Sequence, residues 1–191
     1  LDDRVAAMLA LYERYLGRTP PIDHDVWRSE RATGHRNRAI AHLLLSRGII
    51  GDRPEETLDV YFAQCSVLVT AHDLALIGAT IANDGRHPVT GEQVVSSEVT
   101  RDMLTVALTC GMYDYAGEWA FDVGIPAKSG VGGGIIGMLP HVGGLATFSP
   151  RLDAIGNSVR GVRVFEELSQ RFALHLFDPD HPWRLRAGRT D

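Results

Sequence analysis

Between residues 118 and 149 the apolar spacing of this chain shortens from the period of a helix to that of a strand, and glycines crowd the joins. A chain with that shift folds as helices, then a strand meander, because side chains line one face every 3.6 residues in a helix and every second residue in a strand. Ahead of it, Val5, Met8, Leu9, Tyr12 and Leu16 mark a first helix, with Asp2 and Asp3 as N-terminal caps and Gly17 then Pro20 as stop signals. A loop through Pro20, Pro21 and His24 and the polar stretch SERATGHRN lead to a second helical pattern carrying Ile40, Leu43 and Leu44 toward Gly48. Leu58, Tyr61, Phe62, Cys65 and Leu68 define a third. Thr70 with Asp73 forms a capping box for a fourth that buries Leu74, Ile77 and Ile81 and closes at Asn83, Asp84 and Gly85. HPVTGEQVV reads as a turn and a short extended piece, and a further helix runs from about Ser97 through Met103, Leu104 and Leu108 to Gly111.

Trp119, Phe121, Val123 and Ile125 then alternate with polar or small residues, which predicts a half-buried strand. GGGIIGMLP and GGLATFSP predict two more, antiparallel and adjacent, before Val159, Val162, Phe165, Leu168 and Phe172 return the chain to helix. The class is α+β, and the residues from Pro179 onward read as a polar tail. With 191 residues, 45% hydrophobic, there is enough apolar material for one globular domain. A net charge of -5 without basic runs argues against a nucleic-acid or anionic-membrane partner. No apolar stretch reaches the roughly 18 residues of a membrane span. Cys65 and Cys110 lie far apart within apolar-periodic segments and read as reduced core residues, which fits a cytoplasmic setting.

The most unusual local sequence is GIPAKSGVGGGI, where Lys128, the only lysine, precedes Ser129, Gly130 and Val131. Small residues there let a ligand approach backbone amides that could donate to an oxyanion, although a plain glycine-rich hairpin has the same composition. Lys-Ser-Gly at the head of a strand is also the arrangement of serine acyl-transfer enzymes, which pair it with a nucleophilic serine in a Ser-x-x-Lys motif. No serine of this chain is followed three positions later by lysine. Asp23, His24 and Asp25 form a metal-like triplet, but neighbouring residues point different ways, so they are assigned to a loop and no metal is expected. His175, His181 and the two cysteines offer no ligand spacing or Cys-His pair either.

SERATGHRNRAIA, LDVYFAQCS, NDGRHPVTGEQV, TCGMYDYAGEWAFDVGIPAKSGVGGGI and FSPRLDAIGNSVRG occur in that order over residues 25 to 172. Together they resemble the glutaminases of the β-lactamase-like, serine-dependent superfamily, and a match in five collinear blocks is far more specific than one short motif. The resemblance implies hydrolysis of L-glutamine to L-glutamate and ammonia by an acyl-enzyme route, without metal or organic cofactor. It implies the β-lactamase/transpeptidase-like fold, with the antiparallel sheet between Glu118 and Ser149 flanked by helices. Glu30 matches the residue that accepts the substrate ammonium and Asn37 the one that donates to its carboxylate. Tyr61 matches a substrate-contacting tyrosine, and Tyr113 the phenol that shuttles a proton between serine, lysine and departing ammonia. Val131 matches the position whose N–H helps form the oxyanion hole, with Lys128 and Ser129 in support. Seven residues separate Glu30 from Asn37, so both would share a face if one helix held them, a placement that Gly34 weakens.

The serine-lysine dyad of the family belongs to helices ahead of these blocks. Residues 1–178 are therefore expected to be the C-terminal portion of a glutaminase catalytic domain whose N-terminal helical part is missing, and residues 179–191 a tail. Such a chain by itself would be inactive. The alternative is a non-catalytic glutaminase-like module that keeps an amino-acid pocket. By resemblance the assembly would be a homodimer or homotetramer.

Overall fold

In the computed structural model, residues 2–182 are described; of the expected tail, residues 183–191 lie outside the described residues. Eight helices and three strands follow in the order α1 (Asp2–Leu16), α2 (His24–Thr33), α3 (His35–Ser46), α4 (Pro54–Cys65), α5 (Ala71–Ala82), α6 (Ser97–Cys110), α7 (Ala116–Asp122), β1 (Ala127–Ser129), β2 (Gly134–Leu139), β3 (Gly143–Phe148) and α8 (Val159–Phe172). Contacts within the chain group into two compact units divided between Val69 and Thr70.

The first unit is helical, with α4 packed against α1, α2 and α3. Its core is Ala41, Leu58 and Phe62, with Trp27 and Ile50 against it. Asp23 caps α2, its carboxylate accepting the Asp25 and Val26 N–H groups at 3.0 Å each. The Asp23-His24-Asp25 triplet is thus a helix start and first turn, where carboxylates meet unsatisfied amides and the positive end of the helix dipole, rather than a loop. Ile40 and Leu43, expected on the inner face of their helix, are exposed; Ala41 is the buried residue of α3. Cys65 and Cys110 are also exposed free thiols rather than core. Each is the last residue of its helix, where an apolar period no longer decides burial.

In the second unit the capping box of Thr70 and Asp73 opens α5 as expected, with reciprocal bonds of 3.1 and 2.8 Å. The sheet is antiparallel in the order β1-β2-β3, with Lys128 opposite Ile136 and Ile135 opposite Thr147. Helices α5 and α8 pack on β2 and β3, and α6 reaches β1. Met112, Trp119, Val123, Ile125, Ile135 and Phe165 centre the core. The strand expected over Trp119 to Ile125 does not form: the chain is helix α7 as far as Asp122, and the first strand, β1, starts only at Ala127. Trp119 and Val123 are both fully buried while Phe121 is 84% exposed, so the inward positions are four apart, and a short run of alternating apolar residues satisfies either period. The indole N–H of Trp119 donates to the Ile125 carbonyl at 2.7 Å, which ties α7 to the approach of β1. In α8 the buried positions are Gly161, Phe165 and Ser169, whereas Val159 and Phe172, at its ends, are exposed.

Candidate active site

Glu30, Asn37 and Tyr61 belong to the first unit, and Tyr113, Lys128, Ser129 and Val131 to the second. Glu30 lies in the last turn of α2 and Asn37 in the first turn of α3, with Gly34 between the two helices. They are not on one helix. A Cβ at position 34 would overlap the Phe62 ring, so close packing of this joint on α4 demands glycine, at the point where one helix ends and the next begins. Both side chains are half-buried, and Tyr61 is exposed on α4 although its spacing also fitted the apolar stripe. Burial pushes the Cys65 thiol above its ordinary range, Tyr61 lowers it through a hydrogen bond, and the charge of Glu30 raises it again. Glu30 and Tyr61 therefore share a neighbourhood marked by a thiol that carried no signal of this in the sequence.

In the second unit the chain leaves α6 at Gly111 and enters a short 3-10 turn, Tyr113–Tyr115. Gly111 is pressed against β1: an added Cβ there would overlap the Ala127 carbonyl, and the Gly111 carbonyl accepts the Ser129 N–H at 3.0 Å. That contact fixes Tyr113 beside the strand that carries Lys128. The Tyr113 phenol donates to the Ser129 carbonyl at 3.1 Å, the Lys128 ammonium donates to the same oxygen, and its Nζ stands 4.5 Å from the centre of the Tyr113 ring. Burial holds the phenol above its ordinary range, so it keeps its proton near neutrality, and burial lowers the lysine. The Ser129 side chain is fully buried, and its Oγ has no hydrogen-bond partner among the described residues.

Val131 occupies the second position of a turn closed by the Gly133 N–H on the Gly130 carbonyl at 2.9 Å. Its N–H donates to no acceptor among the described residues. Tyr113 itself adopts φ +56, the left-handed region that a side chain rarely enters without reason. A segment that spacing did not single out, the loop from Asp153 to Asn157, lies against this group: a Cβ built on Gly156 would stand 3.7 Å from the Tyr113 ring and 3.8 Å from Val131 Cγ1. Its signal in the sequence was Asp153 with Gly156-Asn157 three residues on, the composition of a side-chain-closed turn.

Over residues 1–177 the chain matches the sequence profile of the Glutaminase family. It belongs to the glutaminase family. A glutaminase of Nostoc sp. is 56% identical over 176 residues, and a glutaminase of Corynebacterium glutamicum is 46% identical over 180. Those alignments cover 92% and 94% of this chain but 53% and 44% of the relatives, so the chain spans about half the length of the curated glutaminases it matches. Among solved structures, Mglu in its native form superposes with a TM-score of 0.89 at 47% identity over 94% of this chain and 43% of its own. The Bacillus subtilis glutaminase in covalent complex with 5-oxo-L-norleucine superposes with a TM-score of 0.85 at 39% identity, over 88% of this chain and 60% of its own. With glutaminase structures as neighbours and an antiparallel sheet flanked by helices, the fold is that of the β-lactamase-like superfamily. No described helix of this glutaminase-family chain is long and apolar enough to cross a membrane.

Proposed function

We propose that this chain is the C-terminal portion, residues 1–178, of a glutaminase catalytic domain that hydrolyses L-glutamine to L-glutamate and ammonia through an acyl-enzyme on serine. One observation carries the reading: in a chain of this family the Tyr113 phenol and the Lys128 ammonium meet on the Ser129 carbonyl, and the neighbouring turn leaves the Val131 N–H unbonded. A covalent adduct of a glutamine-like compound with the Bacillus subtilis relative supports the acyl route. A glutamate form of Mglu supports the substrate class.

In this reading a serine activated by lysine, neither of them in a Ser-x-x-Lys motif of this chain, attacks the substrate δ-carbonyl. The Val131 N–H donates to the oxygen as negative charge develops on it, which is where a fixed backbone donor helps most. As the carbon–nitrogen bond breaks, Tyr113 hands a proton to the leaving amine and regains one from the lysine ammonium; water then hydrolyses the acyl-serine to release glutamate. Glu30 accepts the substrate ammonium, Asn37 donates to the α-carboxylate, and Tyr61, held out of the core, contacts the side chain. Lys128 stabilises the Tyr113 ring face, and no metal or organic cofactor takes part. The free thiols agree with a cytoplasmic setting, and a homodimer or homotetramer is the assembly expected. A second reading, a non-catalytic module that binds glutamate or glutamine, is favoured by the missing dyad. Ammonia release from L-glutamine by the enzyme with its serine and lysine present separates the two: turnover abolished by Tyr113→Phe supports catalysis, and calorimetric glutamate binding without turnover supports the module.

A further inference from the structure

Tyr113 is held at both ends. Its phenol rests on the Ser129 carbonyl, and the peptide that precedes it ends in the Met112 carbonyl, which accepts the Tyr115 N–H at 3.2 Å within the short turn and the side-chain amide of Asn157 at 3.4 Å. Asn157 is fully buried and comes from 45 residues further along the chain. Its backbone is held in turn: the Asn157 main-chain N–H donates to the Asp153 carboxylate at 2.9 Å, and the Asn157 main-chain carbonyl accepts the Asp153 N–H at 2.8 Å. The same Asp153 oxygen also accepts the Ile155 and Gly156 N–H groups at 2.9 and 2.8 Å. Ser158, which caps α8, donates to the Ser149 carbonyl at 2.7 Å and pins the loop to the end of β3. Gly156 sits at φ +110, which excludes a side chain and lets the loop backbone lie along the Tyr113 ring and Val131.

We infer that Asn157 is a positioning residue for the proton-transferring phenol: its amide, carried on the Asp153–Asn157 loop, clamps the Met112–Tyr113 peptide from which the left-handed Tyr113 backbone aims its phenol at the Ser129 carbonyl. A backbone in that region persists only where its surroundings over-determine it, and here the turn N–H and the Asn157 amide do so together. The Met112 carbonyl already accepts the Tyr115 N–H, and the Asn157 amide adds a second, neutral donor from across the fold; an aspartate of the same shape would set an acceptor against that oxygen. The inference rests on the reading of Tyr113 as the proton carrier, but its geometry does not.

The test compares Asn157→Asp and Asn157→Ala with Ser169→Ala in the enzyme with its serine–lysine pair present. Ser169 is a fitting control, since its buried hydroxyl donates to the Val123 carbonyl at 2.6 Å, a tie of the same kind away from Tyr113. Both Asn157 variants are expected to lower kcat roughly 10-fold to 10²-fold with KM within about two-fold, because misplacing a reacting group by an ångström costs rate rather than binding. A 3-fluorotyrosine at position 113 should shift and broaden its fluorine resonance in Asn157→Ala and not in Ser169→Ala. Two results would overturn the inference: folded Asn157 variants with unchanged kcat and an unmoved resonance, or equal losses in the Asn157 and Ser169 variants. Should the enzyme that carries the serine–lysine pair, with Asn157 unaltered, release no ammonia, the glutaminase reading falls, and the fluorine spectra still decide whether Asn157 places Tyr113.

Discussion

At the residue scale the sharpest expectations attach to groups whose roles differ in the step they serve. Val131 stands where a turn tolerates proline, so Val131→Pro removes the unbonded N–H while disturbing the backbone little. In the complete enzyme this change should lower kcat roughly 10²-fold to 10³-fold, and Val131→Ala should be mild. Steady-state kinetics on both variants, with circular dichroism confirming that each is folded, decide it; equal activity would dismiss the oxyanion role. Tyr113→Phe removes only a hydroxyl and should lower kcat by about 10² or more with little change in glutamine binding. Glu30→Gln should instead raise KM more than it lowers kcat, because the substrate ammonium proposed to meet it is present in ground and transition state alike. Swapped signatures would refute this division of roles.

At the scale of elements, α7 is where a local pattern and the tertiary environment disagree. A strand through Trp119, Phe121 and Val123 would bury all three; the helix buries the outer two and turns Phe121 to solvent. Trp119→Ala should therefore cost about 3 to 5 kcal/mol, adding the loss of its contacts with Phe165 to that of its bond to Ile125. Phe121→Ser should stay within about 0.5 kcal/mol of the parent. Urea unfolding followed by fluorescence or circular dichroism measures both, and a large cost at Phe121 would restore the strand. At the break between α2 and α3, Gly34 is packed so closely on Phe62 of α4 that no side chain fits, and no local periodicity records that contact.

At the scale of the whole molecule, the ionisable groups give a pH dependence of definite sign. Burial raises Tyr12, Tyr15, Tyr113 and Tyr115 above the phenol value of 10.0. The unfolded chain ionises them first, so the folded state holds more protons above that point, and stability present below it is lost as pH rises through the folded values. Lys128, lowered from 10.5 by burial, works the other way: between its lowered value and 10.5 the unfolded chain holds the extra proton, and stability climbs with pH. As pH passes 10.5 the lysine gain levels off while the loss from the phenols continues, so melting temperatures should fall above that point, and less steeply in Tyr113→Phe. A rise there would contradict the burial of the phenols. Catalysis is also a property of the whole: the 191 residues contain no Ser-x-x-Lys pair, so this chain alone should release no ammonia from L-glutamine in a coupled assay. Turnover by the chain alone would point to a nucleophile among its own serines, with Ser129 the first to replace by alanine.

The sequence alone determined what depends on neighbours along the chain. Helix caps such as Thr70 with Asp73 and the antiparallel pair from Gly134 to Phe148 were legible, because each is written in consecutive or regularly spaced residues; the separate strand β1 at Ala127–Ser129 was not, since three residues are too few to show a period. Family membership was legible too, since collinear blocks carry it. Which side of an apolar stripe is buried was not. Ile40, Leu43, Val159 and Phe172 fit a helical period and lie exposed, and Cys65 and Cys110 end their helices at the surface, because burial is decided by what packs against an element. The site followed the same rule. The unusual Lys-Ser-Gly segment pointed to Lys128, and the family resemblance to Tyr113 and Val131, but only the tertiary fold brings the Asp153–Asn157 loop across 45 residues of chain to the peptide before Tyr113, since a long-range hydrogen bond leaves no periodic trace.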